Sequence, residues 1–128
     1  MARKYHAYKN ENPLKKETSD CVVRALATAT GESWDTVYKE LFEIGFELKV
    51  MPNDNEAWRE YLTRKGFTKH SISVKKGSKR PTVLGFAKAN KEGTHILQVA
   101  NHITVCKEGV YYDLWDCGEC CLYSYWSK

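Results

Sequence analysis

Apolar residues in the first half of the chain recur at helical spacing, whereas those in the second half alternate. The run from Cys21 to Thr30 is apolar on most sides of a helical wheel, follows the capping candidates Thr18, Ser19 and Asp20, and stops at Gly31. It predicts a short buried helix opening close to Cys21. Ser33 then caps a second helix, amphipathic through Val37, Leu41, Ile44 and Leu48, which ends before Pro52. Asn53 with Glu56 three residues on has the form of a capping box, and Trp58, Tyr61 and Leu62 continue a third helix to a stop at Gly66.

Beyond Gly66 the period changes. Ser71 to Val74 alternates as a strand does, and the polar run from Lys75 to Arg80 is a loop leading to Pro81. A short helix from about Thr82 to Asn90 ends at Gly93, and strand-like segments follow at His95 to Ala100, His102 to Lys107, Val110 to Trp115 and Cys121 to Trp126. Residues 1 to 17 are polar and basic and read as a short extended segment and a loop. With no repeat, low-complexity tract or linker, the pattern predicts a single α+β domain over 1–128, helices first and an antiparallel meander afterwards.

A hydrophobic fraction of 42% over 128 residues is enough for a packed core. The charged start Met1-Ala2-Arg3-Lys4 leads into no signal-type apolar stretch, and no run approaches the roughly 20 residues of a membrane helix. The expectation is a cytoplasmic protein without a membrane partner. Five cysteines, an odd number with three clustered at Cys117, Cys120 and Cys121, suit free thiols better than a disulfide framework. The net charge of +4 is too mild an excess to indicate a nucleic-acid partner.

The chemistry centres on Cys21. A thiol just inside a helix N-terminus meets unpaired backbone N–H groups and the positive end of the helix dipole, which favour thiolate and can stabilise an oxyanion. The same local sequence also fits a small cysteine packed in a core. A base must come from elsewhere, and among His6, His70, His95 and His102 the last stands where a turn gives way to a strand. If Glu108-Gly109 is a two-residue hairpin tip, Lys107 opposes Val110, Cys106 opposes Tyr111, Thr104 opposes Asp113 and His102 opposes Trp115. Asp113 then lies diagonally across from His102 on the same face, and Asp116 points away; a bulged three-residue loop would reverse that choice.

Asp20-Cys21 opening a helix, Asn101-His102 starting a strand and Asp113-Leu114-Trp115 ending the next one resemble papain-like cysteine peptidases, in order as well as in type. The small size and the Asp-Cys pair look most like the compact bacteriocin-processing peptidase domains. The resemblance implies a papain-like fold, with N-terminal helices packed on a C-terminal antiparallel sheet of about four strands. It also implies a Cys21–His102–Asp113 triad, with Trp115 shielding the His–Asp hydrogen bond and an acyl-enzyme formed on a peptide or protein substrate. Those families carry a glutamine six positions before the cysteine as second oxyanion donor, where this chain has Lys15. Lys15, Asn12 or the backbone N–H of Cys21 alone remain as donors, and losing one such donor typically costs about 2.7 to 4 kcal/mol of transition-state stabilisation.

Two other classes stand beside the hydrolase. One is a catalytically silent papain-like domain that binds or inhibits a partner. The other is a zinc-stabilised module for nucleic acid or protein built on Cys117, Cys120 and Cys121; their spacing is half of a zinc site and the second half is missing, so no metal or cofactor is expected. Lys75 to Arg80 reads as a solvated loop, His70 and His95 as structural or surface histidines, and Cys121 as a core-facing strand residue. Oligomeric state is not written in these patterns.

Overall fold

The computed structural model describes residues 5–128, so the charged start at 1–4 lies outside the described residues. Helix α1 (Cys21–Thr30) is buried over most of its surface and ends on Gly31, whose φ of 78° is the left-handed stop expected there. Helix α2 (Trp34–Leu48) opens on Ser33, whose side chain accepts from the Thr36 N–H, and buries Val37, Leu41 and Ile44. Helix α3 (Asn55–Arg64) is capped by Asp54, not Asn53; a turn closed by Asp54 N–H to the Met51 carbonyl uses position 53, and the Asp54 carboxylate accepts from the Glu56 N–H. Helix α4 (Val83–Ala89) starts behind Thr82, which caps it.

Among the described residues the sheet has six strands: β1 (His6–Tyr8), β2 (Thr68–Ser71), β3 (Thr94–Val99), β4 (His102–Lys107), β5 (Val110–Asp113) and β6 (Ser124–Ser127), in the order β1-β5-β4-β3-β6-β2. The expectation of about four antiparallel strands is thereby corrected. The sheet is mixed, because the N-terminal segment forms β1 and pairs parallel to β5. The strand expected at Ser71–Val74 lies three residues earlier, and the last strand begins at Ser124, leaving Cys121 exposed on an isolated bridge to Thr82.

Alternation along the strands builds a core on each face. Ile96, Ile103, Val105 and Trp126 meet Leu26, Leu41, Trp58 and Leu62 of α1–α3, and Leu97, Val99, Cys106 and Tyr111 meet Val83, Phe86, Cys117 and Leu122 on the other side. Helix α1 lies across β4, which brings its N-terminus to the start of that strand. Among the described residues, no helix is long and apolar enough to cross a membrane.

Candidate active site

The hairpin joining β4 to β5 sets the geometry. Cys106 pairs with Tyr111 and Lys107 with Val110, the register of a two-residue tip, and Glu108 (φ 52°) and Gly109 (φ 78°) supply the two positive φ angles of a type I′ turn. Asp113 is thereby set across from His102, and the His102 Nε2–H donates to Asp113 Oδ2 at 2.6 Å. Asp116 is turned away, accepting from the Tyr111 hydroxyl and from the Gly118 N–H. The Trp115 ring lies beside the imidazole, centroids 5.2 Å apart, with its outer half in solvent.

Cys21 stands at the mouth of α1. Its sulfur is a hydrogen-bond partner of His102 and of the Ile103 backbone. Asp20 occupies the cap position but makes no side-chain cap bond, so the first-turn N–H groups keep no side-chain acceptor. Burial opposes ionisation of the thiol. The hydrogen bonds from His102 and Ile103 and the positive charges of His102 and Arg24 outweigh it, and hold the thiol below its ordinary value. For His102, burial disfavours the imidazolium, but the hydrogen bond to Asp113, helped by Cys117 and Cys21, pushes the ring up to about 11. Asp113 is held below its ordinary value, because His102 and other donors overcome the effect of burial. Lowering of the thiol and raising of the imidazole are the two shifts that favour a thiolate–imidazolium pair.

Behind this pair is a buried ion network that the sequence did not reveal. Arg24, one turn into α1, donates through Nε to Asp20 Oδ1 at 2.8 Å and through Nη1 to Asp113 Oδ1 at 3.3 Å. Asp20 accepts in addition from Trp34 Nε1 at 2.9 Å and Asn12 Nδ2 at 3.3 Å. Asp113 Oδ1 also takes the Leu114 N–H at 2.8 Å, and the buried Cys117 thiol lies 3.7 Å from Oδ2. The only sequence signal for this chain was the four-residue step from Asp20 to Arg24, which puts both on one helix face.

Cys21 and His102 open into a cleft of about 680 Å³, walled also by Val99, Leu114 and Trp115 with Asn53, Asn55, Gln98 and Asn101 around it. Neither side chain considered as second oxyanion donor lines it. Lys15 Nζ donates to the Asn10 carbonyl at 3.0 Å, and the Asn12 amide is committed to Asp20. The neutral donors at the cleft instead include the Thr18 and Ser19 hydroxyls, just ahead of Cys21, the amides of Asn53, Asn55 and Asn101, and Gln98, whose carbonyl is held by Arg59 and Ser124.

The remaining cysteines do not gather around a common point. Among the described residues the one metal-ligand grouping is His102, Asp113 and Cys117, with ligand atoms within 4.8 Å of one another. This set does not fit a cation well. His102 and Asp113 are already in direct hydrogen-bond contact, and the Arg24 guanidinium supplies positive charge to the same carboxylate. Cys117 is fully buried beneath the pair and also opens a turn, its carbonyl accepting from the Cys120 N–H at 3.0 Å. His70 stacks on Tyr125, and His95 contacts Ser127 and the Glu92 carbonyl. Compared with protein-family models, curated proteins and solved structures, the chain shows no significant match.

Proposed function

We propose that the chain is a papain-like cysteine hydrolase that cleaves peptide or amide bonds through a Cys21–His102–Asp113 triad. The observation that carries this reading is the contact order itself: a thiol at a helix mouth, bonded to an imidazole whose far nitrogen is bonded to a buried carboxylate, at the wall of a cleft. The Cys21 thiolate attacks the carbonyl carbon, and the C=O electron pair moves onto oxygen near the uncapped N–H groups of α1. His102 gives its proton to the leaving nitrogen as the C–N bond breaks, leaving a thioester on Cys21. The now neutral imidazole takes a proton from water, whose oxygen attacks the thioester, and the thiolate departs with its imidazolium partner restored. Asp113 keeps one ring nitrogen as donor throughout and stays ionised.

The substrate is a peptide or protein segment, the setting is the cytoplasm, and no cofactor takes part. A second reading, a silent domain of the same kind that binds a partner, draws on Lys15 and Asn12, both engaged away from the cleft. A mixed library of peptide amides with a fluorogenic leaving group separates the two. Turnover is expected, abolished in Cys21→Ala and reduced on the order of 10² to 10⁴-fold in His102→Ala. No turnover of any member, with peptides bound but intact, would favour the silent domain.

A further inference from the structure

The largest feature that the proposed chemistry does not use lies on α2, on the side away from the core. Tyr38, Phe42 and Phe46 are 43%, 56% and 70% exposed, and Met51 just beyond the helix is 69% exposed. These four make up half of the exposed large apolar side chains among the described residues, and the three aromatics follow one another at four-residue intervals along a single stripe. A contiguous aromatic ridge of this kind is unusual on a surface that meets only water.

The ridge is self-complementary. Asp35, Tyr38, Phe42, Phe46 and Lys49 fall on the same stripe, separated by 3, 4, 4 and 3 residues. That spacing reads the same in both directions, with Phe42 at its centre and opposite charges at its ends. When two such stripes run antiparallel about a two-fold axis through Phe42, Phe42 meets its own copy, Tyr38 meets Phe46 and Asp35 meets Lys49 at both ends. Lys39 and Glu43, both exposed on one flank, then approach each other across the pair as well. The Lys49 ammonium lies 4.0 Å above the Phe46 ring, already at the end of the stripe where Asp35 of a second copy would stand. Next to Tyr38 a hollow of about 200 Å³, lined by Trp34, Leu41, Met51 and Pro52, extends the apolar area beyond the helix.

We propose that this face is a dimer interface, in which α2 of one copy packs antiparallel on α2 of a second copy of the same chain. The proposal is independent of the catalytic reading, because none of the ridge residues belongs to the triad or its cleft. Packing of two helices through aromatic knobs with ion pairs at the ends predicts an association strengthened at low salt.

Sedimentation equilibrium of the full chain, from micromolar to several hundred micromolar, is the test. The expected result is a concentration-dependent doubling of mass, lost in Phe42→Glu and weakened at least tenfold in Asp35→Lys, which sets lysine against lysine. The exchange D35K/K49D restores opposite charges, and dimerisation should recover while circular dichroism of all variants stays unchanged. A wild-type chain that remains monomeric over the whole range would overturn the proposal. So would a dimer indifferent to Phe42→Glu, which would have to use another face, or an Asp35→Lys loss that the exchange does not restore.

Discussion

At the scale of single residues, Arg24 has the most consequence for its surroundings. Its guanidinium bridges two buried carboxylates, one fixing the helix mouth and one orienting the imidazole, so Cys21 and His102 are referred to a common cation. Removing one member of a buried ion network leaves the others uncompensated, typically at about 3 to 5 kcal/mol. Arg24→Met is therefore expected to lower unfolding stability by that amount in a urea titration, and Arg24→Lys to recover only part, because a lysine cannot fork to both carboxylates. A variant as stable as wild type would mean that the network carries little energy. Arg24 was illegible in the sequence because an arginine within an apolar helix reads as a solvent-facing interruption. Its second partner, Asp113, is 89 residues away and comes near only when the sheet forms. Cys21, His102 and Asp113 were legible because each stands at the end of an element, where local pattern is most informative.

Among the elements, the β4–β5 hairpin does the positioning. Its tip needs two residues with positive φ; Gly109 adopts this freely, and a Cβ there would also come within 3.2 Å of Lys91 Cα. Gly109→Ala should cost about 1 to 2 kcal/mol, read as a lower urea midpoint with an unchanged slope. A midpoint at the wild-type value would show that the turn is not the conformation described. The hairpin was readable because turn length and side-chain alternation together fix the register. The outer strands were not. All four residues of β2 are exposed, so it has no apolar alternation to announce it, and β1 is three residues long and held by its pairing with β5 and by His6, whose Nε2 contacts the Asp113 carbonyl. Asp20 precedes the helix as its position in the sequence predicts, but its carboxylate faces Arg24 and Trp34 in place of the helix N–H groups.

Over the whole molecule the α+β class and the order of its helices were written in the hydrophobic periods, whereas the mixed six-stranded sheet depended on long-range pairing that no local pattern encodes. The site in turn marks the stability of the whole. The fold raises His102 to about 11, so its contribution is complete below the ordinary imidazole value of about 6.5 and is lost as pH rises through about 11. The fold lowers Cys21, so its contribution is complete above the ordinary thiol value of about 8.5 and is lost as pH falls through the folded value. Between the folded Cys21 value and about 8.5 the two slopes oppose each other, because the folded chain holds its proton on His102 and the unfolded chain on the thiol. Above that window stability should fall by at most about 1.4 kcal/mol per pH unit, and the fall should be absent in His102→Gln. Urea titrations from pH 6 to pH 10 on both proteins check this; parallel curves for the two would contradict it.

The thiolate–imidazolium pair is the central claim, and alkylation of each thiol as a function of pH, resolved by peptide mapping, tests it most directly. Cys21 is expected to react with iodoacetamide at pH 6 well ahead of Cys106, Cys117, Cys120 and Cys121, and to lose that lead in His102→Ala. Cys21 reacting at pH 6 no faster than the exposed Cys121, or keeping its lead without His102, would contradict the account.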